Sequence, residues 1–337
     1  MLRFVLRRLA AIPLLLLGIV TIAFAISRFL PADPLVSIVG ERQLGNPEVV
    51  AAAKQRWGLD QSLPQQYLTY VWNVLHGDFG TSFQTRTSVT SDIGHRLPAT
   101  IELAGTALVI GAVGGILLGV VAASHRNKLP DHAARLFALV GSSLPVFWIG
   151  LVLLFVLYAR LGIVPGPGRL PPRLSPPPDV TGFYTLDALV AGNLQLFWQA
   201  LHRLLLPGFV LGWGLMGIVS RLVRAAMLDE LGADYVRTAR AKGLTERKVL
   251  YGHVLRNALL PVLTILGFSL AVLLTGAVLT ETVFAWNGVG SYAVTAARTL
   301  DYPAINAVCI LGGAVFLMAN LVTDVLYALA DPKVRLA

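Results

Sequence analysis

Residues 234–248 read DYVRTARAKGLTERK, with five basic side chains and one glycine, placed between two long apolar stretches. The flanking sequence makes this run informative. Upstream, 204–223 is rich in Leu, Val and Gly; downstream, 258–281 is rich in Leu, Val and Ala. A polar helix-glycine-helix signal between two such stretches predicts a short structured connection between membrane spans.

Composition supports that setting. Of 337 residues, 55% are hydrophobic and only 13% charged, against about 25% charged in a soluble domain. Mean hydropathy is +0.70. The missing charge is replaced by apolar runs, the pattern of a polytopic all-α membrane protein. A formal charge of +9 would also suit nucleic acid. Membrane proteins, however, gather Lys and Arg in their cytoplasmic loops for their own reason, so no nucleic-acid partner is expected. Cys309 is the only cysteine, which leaves no disulfide within the chain and no cysteine-rich metal site.

Six segments reach the length needed to cross a bilayer, near 9–30, 99–123, 136–159, 204–223, 258–281 and 305–329. The fourth is the weakest, with Pro207 early and several glycines. With the N-terminus in the cytoplasm, and Arg221 counted with the inner segments, those segments carry 16 of the 27 Lys and Arg. The outer segments are more than twice as long in total. Both termini are therefore expected in the cytoplasm, with 234–248 facing it too. The first span also has features of a cleaved signal: Arg3, Arg7 and Arg8, an apolar core, and Ala23-Phe24-Ala25. Its core is long for that role and Pro31-Ala32-Asp33-Pro34 closes it, so it is read as a retained span. The chain then divides into 1–30, an external segment 31–95, a main membrane domain 96–328 and a tail 329–337.

Within the external segment, 47–57 and 64–76 have amphipathic helical spacing. Trp57, Tyr67, Tyr70 and Trp72 suit a membrane surface. PGPGRLPPRLSPPP at 165–178 cannot be regular helix and predicts an extended external loop. Glycines 111, 115 and 119 recur every four residues and predict close helix packing.

The chemistry of an enzyme is missing. There is no GxxxxGK[ST], HExxH, GxSxG or CxxC, and the six histidines are scattered without ligand spacing. No catalytic residue, resident metal or cofactor is expected. Within or beside spans the only acidic residues are Glu102, Glu281 and Asp324, which makes them candidates for translocation or gating. Each lies near a span end, where water or headgroups would solvate it.

Asp234 is placed to cap a helix over 235–242, and Gly243 to end it in the left-handed conformation. Thr245 caps a second helix with Glu246 in its first turn. There Val249, Leu250, His253 and Val254 share one side, away from Glu246, Arg247 and Lys248. Charge alone fits a solvated loop or contact with anionic headgroups. The glycine hinge, paired caps and apolar stripe go beyond that and suit docking in a protein groove.

Tyr235-Val236-Arg237-Thr238-Ala239-Arg240-Ala241-Lys242-Gly243-Leu244, followed by His253 to Pro261, resembles the EAA-type loop of ABC importer permeases. More narrowly, the stretch resembles the first membrane subunit of the dipeptide/oligopeptide/nickel family. Other stretches resemble that family in order: Pro31-Ala32-Asp33-Pro34, His76-Gly77-Asp78-Phe79-Gly80, and Arg96 to Leu103. Further on come Glu281 to Gly290, Asp301-Tyr302-Pro303, and Asp324 to Tyr327 with Asp331 to Arg335. The literal EAA letters are absent, and Asn287 stands where the family usually has proline, implying a less rigid loop there.

The resemblance implies a type I ABC importer fold in a bacterial or archaeal cytoplasmic membrane. Its implied partners are a second homologous permease, two ATP-binding subunits that use ATP and Mg, an external solute-binding protein and a peptide substrate. The coupling loop would span 229–257, with Asp234, Tyr235, Arg237, Thr238, Ala239, Arg240, Lys242, Gly243, Glu246, Arg247 and Lys248 as its site. Nickel or another small solute is the alternative cargo, although no histidine cluster lines a span. A secondary transporter would show inverted repeats and midplane charges, which the sequence lacks.

Overall fold

The computed structural model describes residues 2–29, 39, 44–56 and 60–330. Trp57, the 31–34 turn and the 331–335 signature lie outside the described residues, as does the side chain of Asp324. Helix predominates among the described residues. Among the described residues the only extended pairing is an isolated antiparallel bridge between Thr81 and Ser88.

In chain order the helices are α1 (Leu2–Phe29), α2 (Pro47–Arg56), α3 (Leu63–Leu75), α4 (Val89–Ser124) and α5 (Leu129–Ser143). Next come α6 (Val146–Leu153) with a π-helical continuation Leu154–Arg160, α7 (Tyr184–Val190), α8 (Leu194–Leu231) and α9 (Asp234–Ala241). A π-helical turn Lys248–Val254 leads into α10 (Leu255–Ala258) and α11 (Leu260–Gly276). The chain closes with α12 (Val278–Val283), α13 (Val289–Arg298) and α14 (Tyr302–Ala330).

Among the described residues three helices are long and apolar enough to cross a membrane unbroken: α4, α8, and Tyr302–Val322 of α14. Two bent pairs bring the total to five if each pair is one span, and Ala10–Ile26 of α1 is a shorter apolar helix. The expected straight span at 136–159 is instead broken by 109° between Ser143 and Val146. Pro145 cannot donate into the ladder, and it drives Leu144 to an extended ψ of 145°. The expected span at 258–281 is likewise bent by 54° at its start and breaks again between Gly276 and Val278. The stretch with the weakest sequence signal, 204–223, lies inside the longest helix, because α8 buries Pro207 and its glycines against neighbours.

The core is a glycine seam between α4 and α8. A Cβ on Gly115 would sit 2.6 Å from Val219 Cβ, and one on Gly119 would sit 2.6 Å from Val223 Cβ. From the other side, a Cβ on Gly212 would meet the Ala107 carbonyl oxygen at 2.4 Å. The regular spacing of 111, 115 and 119 is therefore a packing device, as expected. Without a hydrophobic drive between helices in lipid, this close approach is what dispersion requires. One apolar cluster runs from Ala99, Leu103 and Trp286 at one end, through this seam, to Val236, Val249 and Val254 at the other.

Candidate functional site

At the 234–258 end, α9 and the π-helical turn form a bracket. Ala233, not Asp234, takes the N-cap position; Asp234 is the first helical residue, exposed and 3.5 Å from Arg237 Nη1. The helix ends as expected. Gly243 has φ +77°, its N–H donates to Arg240 O at 2.9 Å, and Leu244 N–H donates to Ala239 O at 3.3 Å. These two bonds are the Schellman pair, and they require a residue without a Cβ penalty at positive φ. Nothing lies within 4 Å of where a Gly243 Cβ would be, so the requirement is conformational and not steric.

Across that turn Arg240 Nε donates to Glu246 Oε1 at 2.8 Å, tying the two arms together. Val236 and Ala239 face inward, so Ala239 belongs to the packed underside. Tyr235, Arg237, Thr238, Lys242, Arg247 and Lys248 form the exposed face. Burial raises the Tyr235 phenol above its usual range, helped by the Glu230 carboxylate that its hydroxyl donates to.

The second arm departs from the expected register. Its buried residues are Val249, Val254 and Ala258, and His253 is exposed. The five-residue step from 249 to 254 follows the wider π-helical turn, which rotates His253 out of the apolar stripe.

A second anchor beside the bracket involves residues with no sequence motif. Arg224, near the end of α8, grips Asp131 through Nε–Oδ1 and Nη2–Oδ2, both 2.8 Å, and Asn127 N–H adds a third donor at 2.9 Å. Asp131 is fully buried. The pair fixes the start of α5 to the helix that leads into the bracket. A lone Asp after a proline offered no signal for it.

The opposite end holds the other two described candidates. Both are buried, contrary to the expected solvation by water or headgroups. Glu281 is 0% exposed, accepting from Thr100 Oγ1 at 2.6 Å and from Ser291 N–H at 2.9 Å. Thr100 in turn accepts from Val289 N–H at 2.9 Å. The glycines of this stretch make room: a Cβ on Gly288 would fall 2.5 Å from both Glu281 Oε1 and Thr100 Oγ1. Trp286 Nε1 donates to Ala99 O at 2.8 Å. Ala285 and Asn287 flank it at φ 48° and 57°, which turns the backbone twice and drives the indole inward. Proline cannot enter that region, so Asn287 here serves a left-handed turn, and the loop is pinned where less rigidity was expected.

Glu102 lies on the same helix, two residues beyond Thr100. Its Oε2 accepts from Arg169 Nη2 at 2.7 Å, and its Oε1 accepts from Thr185 N–H and Oγ1 at 2.9 and 2.7 Å. Arg169 stacks 3.5 Å over the Tyr184 ring. The proline-rich loop that supplies Arg169 is extended, as expected, and it is also pinned. Gly168 N–H donates to Phe284 O at 2.8 Å, and Arg203 Nη1 donates to Gly166 O at 2.8 Å. Asp187 holds the next segment, accepting from Thr181 Oγ1 and N–H and from Gly182 N–H. Burial pushes its carboxyl up, but these bonds outweigh it and leave the pKa below the usual carboxylate range.

The stretches 76–80, 96–103, 281–290 and 301–303 thus converge. Asp301 is buried and accepts from Ser82 Oγ, while Gly80 approaches Pro303. Two adjoining clefts of about 570 and 580 Å³ open beside this cluster and share Arg96, Ala285 and Asn287 in their walls.

Comparison with known proteins identifies the family. Residues 115–336 match the family described as "Binding-protein-dependent transport system inner membrane component", and residues 1–104 match its N-terminal companion. The chain is 44% identical to the "Probable D,D-dipeptide transport system permease protein" of Escherichia coli, covering 95% of this chain and 94% of the relative. It is 41% identical to the "Di/tripeptide transport system permease protein" of Pseudomonas aeruginosa over 99% of both chains. The "Glutathione transport system permease protein" of Salmonella choleraesuis is 35% identical, again over 99% of both.

Proposed function

This chain belongs to the family of binding-protein-dependent transport system inner membrane components, and from that premise we propose how it couples ATP to peptide import. It is a permease subunit of an ABC peptide importer, a multi-pass protein of the cytoplasmic membrane. It works with a second homologous permease, two ATP-binding subunits that bind the ATP and Mg, and an external solute-binding protein. Six spans put both termini and the 234–248 bracket in the cytoplasm, the side that the excess of Lys and Arg favours.

The observation that carries the coupling reading is the bracket's two-sided construction. Its charged face, with Arg237, Lys242, Arg247 and Lys248, is free for an ATPase groove. Its underside, with Val236, Val249 and Val254, belongs to the same apolar cluster as Trp286 at the far end. A push on the bracket enters α8 directly, and the glycine seam passes it to α4. Helix α4 carries Thr100 and Glu102, so movement there changes their contacts with Glu281 and Arg169. These bonds form the outer gate in the state described here. Opening toward the outside requires them to break together, because each carboxylate left unpaired in a closed gate would be costly.

The test is reconstitution of the two permeases and two ATP-binding subunits in proteoliposomes, with the solute-binding protein and labelled dipeptide added. ATP-dependent uptake that needs the binding protein is expected. Uptake driven by a proton gradient without ATP would overturn the proposal.

A further inference from the structure

Helix α3 has three differently made sides. Its sequence, LPQQYLTYVWNVL, contains no charged residue. One side packs against α1 and α14: Tyr67 OH meets Thr21 Oγ1 at 2.7 Å, and Tyr70, Val71 and Val74 lie on Val20, Ala23 and Ile310. A second side is apolar and uncovered, with Leu68 67%, Trp72 64% and Leu75 76% exposed at positions i, i+4 and i+7. The third side carries Gln65, Thr69 and Asn73, polar and uncharged, again at four-residue spacing.

We propose that α3 is an interfacial helix lying in the outer leaflet, with Leu68, Trp72 and Leu75 among the acyl chains and Gln65, Thr69 and Asn73 toward the headgroups. Depth carries the assignment. Its contacts on α1 fall at residues 19–24, inside the apolar stretch Ala10–Ile26. At about 1.5 Å per residue, Thr21 sits only about 7 Å below the outer end of that stretch. A helix seated at that level cannot avoid the headgroup boundary. Helix α1 likewise leaves Ile22 and Ile26 exposed within and at the end of that apolar stretch. The absence of charge distinguishes α3 from a helix built to stand in water, and Trp is the residue favoured at this level. The expected membrane-surface role of Tyr67 and Tyr70 is thereby revised. Those rings turn inward to hold α1, with Phe24 against both of them, and Trp72 is the aromatic left for lipid.

The test uses the assembled transporter in liposomes of phosphatidylethanolamine and phosphatidylglycerol. Cys309, the only cysteine, is replaced by serine, and single nitroxide-labelled cysteines are placed at 65, 68, 69, 72, 73 and 75. Collision with oxygen is compared with collision with a water-soluble nickel chelate. At 68, 72 and 75 oxygen should be favoured several-fold over the values at 65, 69 and 73. Equal access of the nickel chelate at 68, 72 and 75 would overturn the proposal by placing the helix in water. Shielding of those three from both colliders in the complex, but not in the isolated permease, would overturn it in favour of a protein partner on that face.

Discussion

Gly243 is the position where one atom should decide coupling. Its φ of +77° costs an L-residue about 1–2 kcal/mol, while its added Cβ would touch nothing. Gly243→Ala should therefore strain the bracket by that amount without a clash. Gly243→Asn should cost less, because Asn tolerates the left-handed region. Gly243→Pro is different in kind. Its ring holds φ near about −65°, roughly 140° away, and it removes the N–H that donates to Arg240 O, worth about 1 kcal/mol more. It also disfavours the near-zero ψ of 4° at Lys242. The Schellman turn cannot form, so the exposed face of α9 and the second arm lose their mutual orientation. The assay is the ratio of dipeptide transported to ATP hydrolysed in proteoliposomes, with co-purification of the ATPase subunits as the assembly control. The ratio should fall in the order glycine, asparagine, alanine, proline, with proline uncoupled. A wild-type ratio in the proline variant would refute the reasoning. Asparagine and alanine variants as damaged as proline would refute the conformational explanation in particular.

Three further outcomes follow from the packing and the proposed outer gate. Gly212→Ala puts a Cβ 2.4 Å from the Ala107 carbonyl oxygen, which cannot step aside, and should lower stability by about 1–3 kcal/mol in detergent melts. Gly105→Ala, with open space around it, should not, and equal effects would refute the seam. Thr100→Val keeps the shape but leaves the Val289 N–H without its acceptor, a loss of about 1–3 kcal/mol, whereas Thr100→Ser retains the hydroxyl. Hydrogen exchange at Val289 should accelerate only in the valine variant. Asp187 has a folded pKa below its unfolded one, so its contribution is complete above the usual carboxylate value and is lost as pH falls through the folded pKa. Protease cleavage within 179–186 should increase in that acid range for the native chain. Asp187→Asn should show the cleavage at neutral pH already and respond less to acid.

The legibility of this molecule in its sequence differed by region. The bracket was readable because its determinants are local: a glycine two residues past a helical run, and a threonine before the next one. Its errors were local too. Asp234 lost the cap to Ala233, and His253 left the apolar stripe because the turn is π-helical, a register that a 3.6-residue period cannot reveal. The bend at Pro145 carried a local signal, proline inside an apolar run, that apolar length overrode. Glu102 and Glu281 were recognisable as exceptional, yet their burial was not. Thr100 lies 181 residues from Glu281, and Arg169 and Thr185 lie 67 and 83 residues from Glu102, with no motif that announces either pairing. Asp131 and Arg224 were invisible for the same reason.

The amino-acid order alone determined the membrane setting, the helical composition, the four-residue glycine seam and the turn at Gly243. Each depends on hydropathy, on spacing within one helix, or on the φ of one residue. The tertiary structure alone decided which end of each span is dry, which loop covers which carboxylate, and what α3 leaves uncovered. A carboxylate near a span end is solvated or buried according to what packs over it, and here the covering loop arrives from 67 residues away, from Arg169 to Glu102.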